Sequence, residues 1–514
     1  MTRKIAVIDI GSNSFRLVIY HVKQGRFYEE AKNFKVTARL QTFLNDQQIL
    51  NDEGVKVLLN TLTDFKEIIE ANHVSEVVLA ATATLRQSRN HDEILNLISD
   101  KLGLKVDLLS GEREAYYGLL SVIHSTYLES GITIDIGGGS TEITLFKNRK
   151  MIHSISLPFG ALSLTKMFVE NCVPTMEELN KLNDFLSAHL KELVWLKNCR
   201  LPVIGIGGSA RTVAKIHKEV NNYPLSTIHL YEMDVYDLDS ISAHLQSLSY
   251  DSLQQVPGLS KDRADLIIPA IQVFTVVARM VEAPFFQVSL KGIRDGILLE
   301  QLAVNENEPV DSNQLIEKNF LKLCLDYSVD LNARVRVAKT ALLIAKAMNS
   351  KGIAEISKED MKDLQFSSYV YKIGSYIDSR FAHNHTFYIL SNQSMDGLPH
   401  QKQVKMALIA SYQSKNSFKQ TRKLFKDWFT KEEKDKIKLL AAILKFAYAV
   451  NDTNRNIIKS IDLEKNNEGI KIVIHCGDEN WFVEQLLAEA QLKHLENALK
   501  KKWSMEFKLL NRMI

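Results

Sequence analysis

Asp9-Ile-Gly-Ser-Asn-Ser-Phe-Arg-Leu-Val-Ile-Tyr20 returns later in the chain as Asp135-Ile-Gly-Gly-Gly-Ser-Thr-Glu-Ile-Thr-Leu-Phe146. Each copy follows a β-branched run, Ile5 to Ile8 and Ile132 to Ile134, and enters a tight turn of small residues before a second apolar stretch. That pattern predicts a strand, a turn and a strand. Each copy is therefore read as a hairpin with a carboxylate at its lip. A segment that recurs constrains architecture more than any single motif, so the chain is expected to contain a duplicated α/β unit.

Working outward, Val55, Leu58, Leu59, Leu62, Phe65, Ile68 and Ile69 recur at helical spacing, and Val77 to Ala81 reads as a strand. A helix near 91–102, a strand at Lys105 to Leu109 and a helix from about Gly111 complete a first lobe, residues 1–125. After Phe146, helical stretches lead to a strand at Leu201 to Ile206, a turn at Gly207-Gly208 and a helix from about Ser209, which makes a second lobe, 126–308. Asn305-Glu-Asn-Glu308 and Pro309 read as a linker. Amphipathic helices then fill 311–460. The last segment, 461–514, is a small α/β appendix: strand Gly469 to Ile474, helix Glu484 to Lys502, strand Ser504 to Leu509.

At 514 residues, 45% apolar and 24% charged, the chain is long enough for several cores. Its opening lacks a basic stretch followed by a sustained apolar one, and Asp9 interrupts the early hydrophobic run, so no export signal is read there. Leu266 to Val281 is the most apolar window, but Pro269, Gln272 and Arg279 keep it below the roughly 18 to 20 apolar residues a membrane span requires, and it reads as a buried helix. Cys172, Cys199, Cys324 and Cys476 form no CxxC pair, which fits thiols in a reducing cytoplasm. The net charge of +3 divides into −6 before residue 310 and +9 after it. A basic rear half can attract a polyanion. Lys415, Lys419, Arg422, Lys423 and Lys426 recur mostly at three- and four-residue steps, as one side of a helix would.

The two turns carry the chemistry. Gly11, Ser12, Asn13 and Ser14, and likewise Gly137, Gly138, Gly139, Ser140 and Thr141, can direct successive backbone N–H groups at one point, a concavity that suits phosphate. Asp9, Asp135, Glu142 and Glu114 would repel such a ligand unless a divalent cation stood between them, and Mg²⁺ asks for one or two carboxylates with phosphate and water. A remaining carboxylate can serve as base. No G-x-x-x-x-G-K-[ST] occurs, which argues against a P-loop, and Gly205-Ile-Gly-Gly-Ser-Ala210 fits a dinucleotide frame only loosely. By position alone Glu114 reads as a charge at a helix N-terminus rather than as a base.

Ile8 to Leu17, Ala81-Thr-Ala-Thr-Leu-Arg86 with Asn90, Ser110-Gly-Glu-Arg-Glu-Ala115, Ile134 to Glu142 and Gly205-Ile-Gly-Gly-Ser209 stand in the order and spacing of the exopolyphosphatase and guanosine pentaphosphate phosphatase family, which this chain resembles over residues 1 to about 300. The resemblance implies an actin-like (duplicated ribonuclease H-like) double lobe followed by an all-α HD-like domain and the small appendix. It implies hydrolysis of terminal phosphate from polyphosphate or guanosine pentaphosphate in the interlobe cleft with Mg²⁺, a monovalent cation such as K⁺ being a further candidate. By it, Glu114 acts on the attacking water, Asp135 and Glu142 are catalytic and hold metal with Asp9, and Arg16, Arg86, Gly207, Gly208 and Ser209 join the two turns as phosphate contacts. A cytoplasmic homodimer with neither membrane nor nucleic acid as partner is also implied. Two departures stand out. Arg113 interrupts a glutamate run, and no His-Asp pair occurs after residue 310, so His383, His385 and His400 are expected to be structural. Guanosine pentaphosphate as substrate, a non-catalytic polyphosphate or alarmone sensor, and an ATPase or sugar kinase of the same superfamily remain as alternatives.

Overall fold

The computed structural model describes residues 3–23, 27–304, 311–465 and 469–510; the linker expected at Asn305 to Pro309 lies outside them. β1 (Arg3–Ile10) turns through Gly11 to Ser14 into antiparallel β2 (Phe15–Val22), with Asp9 opposite Arg16. β2 continues to β3 (Tyr28–Val36), while β4 (Glu76–Ala81) and β5 (Val106–Leu108) add in parallel beyond β1, giving the order β3-β2-β1-β4-β5. The second copy repeats this order. β6 (Gly131–Ile136), β7 (Thr141–Lys147) and β8 (Lys150–Leu157) form the meander, and β9 (Val203–Ile206) pairs in parallel on the far side of β6. β10 (Tyr231–Met233) closes that edge outside β11 (Phe286–Val288). Two sheets with one strand order are the duplicated, actin-like topology.

Two strands differ from the sequence expectation. β3 is an edge strand with polar, mostly exposed residues, so no apolar run marks it. β8 occupies ground read as helical. It follows β7 through Asn148 and Arg149, both at positive φ, 50° and 60°, which is the backbone of a two-residue hairpin turn without its usual glycine. Arg149 holds the turn because its buried guanidinium donates to the carbonyls of Ile123 and Thr126.

Around the first sheet lie α1 (Asp52–Ala71), α2 (Ala83–Gln87), α3 (His91–Leu102) and α4 (Gly111–Ile123). α1 starts where the Asn51 side chain accepts the Gly54 N–H at 2.9 Å, and it buries Leu58, Leu62, Phe65 and Ile69 against Ile8, Leu17 and Ile19. The second sheet carries α5 (Ala161–Phe168), α6 (Met176–Lys191), α7 (Gly207–Val220), α8 (Val235–Gln246), α9 (Tyr250–Leu253), α10 (Ile267–Val281) and α11 (Ile293–Gln301). α7 begins at Gly207 itself, so the turn expected at Gly207-Gly208 is the first turn of a helix. α10 is buried on almost every residue, as its composition predicts. α4 and α11 share one core with strands of both sheets: Tyr117, Leu120, Ile297 and Leu298 lie with Val7, Val18, Ile204 and Ile206.

These elements form one compact unit, and Pro224–Thr227 with Asn313–Ile514 form another. The second unit holds α12 (Ser312–Asp326), α13 (Leu331–Ser350), α14 (Lys358–Tyr369), α15 (Ala382–Asn392), α16 (His400–Ala410), α17 (Lys415–Thr421) and α18 (Lys431–Ala449). β12 (Ile458–Lys465), β13 (Ile470–Cys476), α19 (Phe482–Leu499) and β14 (Trp503–Leu509) complete it, with sheet order β12-β13-β14. β12 starts ahead of residue 461, and the small sheet with α19 clusters into the same unit as the helices. The basic stripe does not stay on one helix face. α17 ends at Thr421 and tightens into a 3-10 turn over Arg422–Phe425 in which Phe425 is buried against Phe387 and Trp428, which takes Lys423 and Lys426 off the helical register. No helix among the described residues is long and apolar enough to cross a membrane.

Candidate active site

Asp9 and Asp135 end the first strands of the two hairpins, and the turns that follow them face each other: a Cβ on Gly138 would stand 2.8 Å from Ser12 Cβ. The direction of the turn amides follows from peptide planarity. The carbonyls of Gly137 and Gly138 accept N–H groups of Ala161 and Leu162 at the start of α5, so the N–H groups in the same peptide planes, those of Gly138 and Gly139, point away from that helix. In the first hairpin Ser12 and Asn13 give their carbonyls to the N–H groups of Gln41 and Arg39, which turns the Asn13 and Ser14 N–H groups the other way. The Gly11 and Gly137 N–H groups differ, being used inside their own turns by Ser14 and Ser140. Beside the turns the side-chain nitrogen and oxygen of Asn13 are buried without a hydrogen-bond partner. Donors and an orphaned amide thus meet at one cavity, of about 130 Å³.

Its walls bring together Asp9, Glu114, Asp135 and Glu142 with Gly11, Ser12, Asn13, Ser14, Arg16, Gly137, Gly138, Ser140, Gly207 and Gly208. Four of the expected contacts are placed elsewhere. Thr141 is fully buried and donates its hydroxyl to the Phe159 carbonyl at 2.7 Å, a strand-to-loop tie. Ser209 is buried inside α7, and Gly139 packs on Gln41. Arg86 is not on the cavity wall; its Nη1 donates to Glu114 and to the Leu109 carbonyl.

The four carboxylates have unequal partners. Asp9 Oδ2 accepts from Arg294 Nη1 at 3.1 Å, and Glu114 is paired with Arg86. Asp135 and Glu142, opposite each other in the β6–β7 register, have no ion pair among the described residues; Ser156 Oγ donates to Glu142 Oε1 at 2.8 Å. Burial is the largest effect on Asp135, Arg211 opposes it and Asp9 adds to it, and the net result pushes the carboxyl up to about 6. Burial and then Asp135 push Glu142 up to about 7. Glu114, only 3% exposed, is raised well above the ordinary range by burial first and Glu142 second, against the pull of Arg86. A helix-end charge would sit in solvent, and Glu114 does not. Arg113, the departure in its motif, turns outward to Asp107 and Tyr117.

Three arginines on the cavity wall are absent from the sequence reading: Arg211, Arg263 and Arg294. Arg211 and Arg263 make no ion pair among the described residues, and burial with the nearby Arg294 and Arg16 brings Arg211 down to about 10. Arg211 is placed by α7, its Nε donating to the Gly207 carbonyl at 2.8 Å. Arg263 lies on Gly208, where a Cβ would come within 2.0 Å of its Nη2. For Arg211, four residues after a glycine that opens a helix, the sequence held a signal; for Arg263, in an ordinary polar loop, it held none. Among the described residues no three Asp, Glu, His or Cys side chains gather as an all-protein metal site would.

Residues 18–305 match the model of the Ppx/GppA phosphatase family, and residues 317–496 match that of Ppx/GppA phosphatase, domain III. The chain belongs to the Ppx/GppA phosphatase family. The domain III match runs through the helices and the first two strands of the small sheet and ends before β14. Among the relatives, the bifunctional 3-dehydroquinate synthase/phosphatase of Fusobacterium nucleatum is 28% identical over 57% of this chain and 46% of its own length, so the match spans about half of that relative. Guanosine-5'-triphosphate,3'-diphosphate pyrophosphatase of Pseudoalteromonas translucida is 26% identical over 76% of this chain and 77% of its own. Exopolyphosphatase 1 of Mycobacterium tuberculosis is 23% identical over 62% and 92%. A solved Ppx/GppA family member from Aquifex aeolicus superposes on 59% of this chain and 98% of its own with a TM-score of 0.53, at 26% identity.

Proposed function

We propose that this Ppx/GppA phosphatase is an exopolyphosphatase that releases terminal orthophosphate from inorganic polyphosphate. The observation that carries the reading is that one cavity gathers three arginines, Arg16, Arg211 and Arg263, and two carboxylates, Asp135 and Glu142, none of which is tied up in a contact ion pair among the described residues. A phosphate chain suits the first group. The turn amides of Gly138 and Asn13 and the unpartnered Asn13 side chain add donors where the end of a polyanion would sit.

Asp135 and Glu142 fit Mg²⁺ in kind, because hard oxygen ligands without their own counter-ion are what that cation takes alongside phosphate and water, and when bound it supplies neutralisation of phosphate charge. The protein's own steps are separate. The arginines and amides hold the terminal phosphate, and the buried Glu114 accepts a proton from a water as that water attacks phosphorus. Burial raises its proton affinity, the direction a proton acceptor requires. Arg86 holds the Glu114 carboxylate in place. The bridging bond to phosphorus breaks, and the chain leaves one unit shorter.

The helices of the second unit are read as HD-like scaffold. His383 and His385 lie together on α15 and His400 on α16, and no metal cluster forms among the described residues. A homodimer in the cytoplasm is part of the same proposal. Guanosine pentaphosphate is the second reading, which the Pseudoalteromonas relative favours by its name. One preparation assayed for orthophosphate from polyphosphate, orthophosphate from guanosine pentaphosphate and ADP from ATP tests the proposal. Polyphosphate should be turned over with the highest kcat/KM; ADP release without orthophosphate from polyphosphate would overturn it.

A further inference from the structure

The second unit gathers cations that its own carboxylates leave uncompensated. Lys372 opens the 3-10 turn after α14 at φ 58°, a left-handed conformation that a lysine adopts only at some cost. Its Nζ stands 4.7 Å from the ring centre of Tyr448 and 5.9 Å from that of Tyr371, and the Arg334 guanidinium lies 5.1 Å from the same Tyr448 ring. Lys445, three residues before Tyr448 on α18, sets its Nζ 5.9 Å from the Tyr412 ring and donates to the Gln413 carbonyl. His494 meets the Tyr412 hydroxyl at 3.3 Å. His383, in the first turn of α15, has its Nδ1 buried without a partner.

Most of the charges that act on these groups are positive. Lys372 and Lys445 act on His383, Lys372 and Lys493 act on Lys445, and Lys445 and Lys493 act on His494. One acid, the exposed Asp452, faces the group, from the side of Lys372 and Tyr448. Burial first and these neighbours second bring the Lys445 ammonium down to about 8. The half-buried Lys405 elsewhere in the unit is matched, by Asp360 and Asp363 at 2.9 and 2.8 Å. Like charges brought together out of water repel, and an arrangement of this kind is stabilised by an anion between them.

We propose that Lys372, His383 and Lys445 form a binding site for a small, multiply charged phosphate anion, with Arg334 and Lys493 at its rim. Three elements, the turn after α14, α15 and α18, bring these groups together, and a ligand of charge −2 or more compensates what a single carboxylate would not. His383 already engages the Ser411 backbone through its other nitrogen, so a proton on Nδ1, which a bound anion favours, gives it a second donor. The site belongs wholly to the second unit and goes beyond the hydrolytic reading.

The test is acetylation of the full-length protein with acetic anhydride in EDTA, each lysine being quantified by peptide mass spectrometry with and without inorganic pyrophosphate. Pyrophosphate at about ten times its dissociation constant should slow labelling of Lys445 and Lys372 about tenfold. Exposed Lys419 and Lys423 should label as before. Lys445→Gln should remove the protection of Lys372, and if that variant fails to fold the wild-type protection still decides. Protection by a nucleoside triphosphate as well supports the same site with a phosphorylated small molecule as its ligand. Labelling of Lys372 and Lys445 that stays unchanged at millimolar pyrophosphate, or that slows equally at every lysine, overturns the proposal.

Discussion

Asp135 and Glu142 stand side by side across one hairpin; burial pushes both carboxyls up, Asp135 adds to the rise of Glu142, and the proposed cation between them would oppose both shifts. Asp135→Asn keeps the shape and removes one charge. The Mg²⁺ concentration for half-maximal rate should then rise at least about tenfold, the lower end of what weakened ligation costs in metal affinity, as a Mg²⁺ titration of initial rates would report. An unchanged midpoint would move the metal away from Asp135. Gly207 tests the same corner from the backbone. Its φ is +80°, and a Cβ there would stand 2.3 Å from Asp135 Oδ1. Gly207→Ala should therefore lower stability by about 1–2 kcal/mol through the left-handed backbone alone, read by urea unfolding, and should lower kcat further by displacing Asp135.

Among the elements, α4 and α11 decide where the base and the Asp9 partner sit, since α4 carries Glu114 and α11 carries Arg294. They touch backbone to backbone: a Cβ on Gly296 would come 2.1 Å from the Tyr117 carbonyl oxygen. Gly296→Ala should cost about 1–3 kcal/mol as overpacking does, seen as a lower denaturant midpoint, and kcat should fall with it because both helices shift relative to the cavity. The hairpins, α1, α10 and the order of elements in the first lobe were legible because apolar period and turn chemistry agree there. β3 and β8 were not, for edge strands carry polar residues and the Asn148-Arg149 turn is held by a buried guanidinium that no local pattern announces. Asp9, Asp135 and Glu142 could be listed from the repeat, and Glu114 only from the family resemblance. That Arg263 joins them depends on tertiary approach to Gly208, and Gly207 makes the expected turn at positive φ directly into α7.

In the molecule as a whole the two units differ in what protons do to them. In the second unit burial, followed by like charges, brings His383 and His494 down to about 4. A histidine whose folded pKa lies below its unfolded value of about 6.5 binds more protons when unfolded across that interval, so stability rises with pH there and is lost as pH falls from about 6.5 towards 4. The unfolding midpoint of the second unit, followed without phosphate, should drop over that window, and His494→Gln should flatten the slope. A midpoint that rises on acidification would show that these imidazoles are not held neutral. The first unit carries the central claim, that a buried Glu114 activates water in a cavity that binds phosphate through other residues. The direct measurement is Glu114→Gln on the full chain, with orthophosphate release and polyphosphate affinity measured on the same sample. The account predicts a turnover at least about a hundredfold lower, the lower end for loss of a general base, with affinity within a few-fold of wild type. Turnover near the wild-type rate would contradict it and return Glu114 to the role of a buried partner for Arg86.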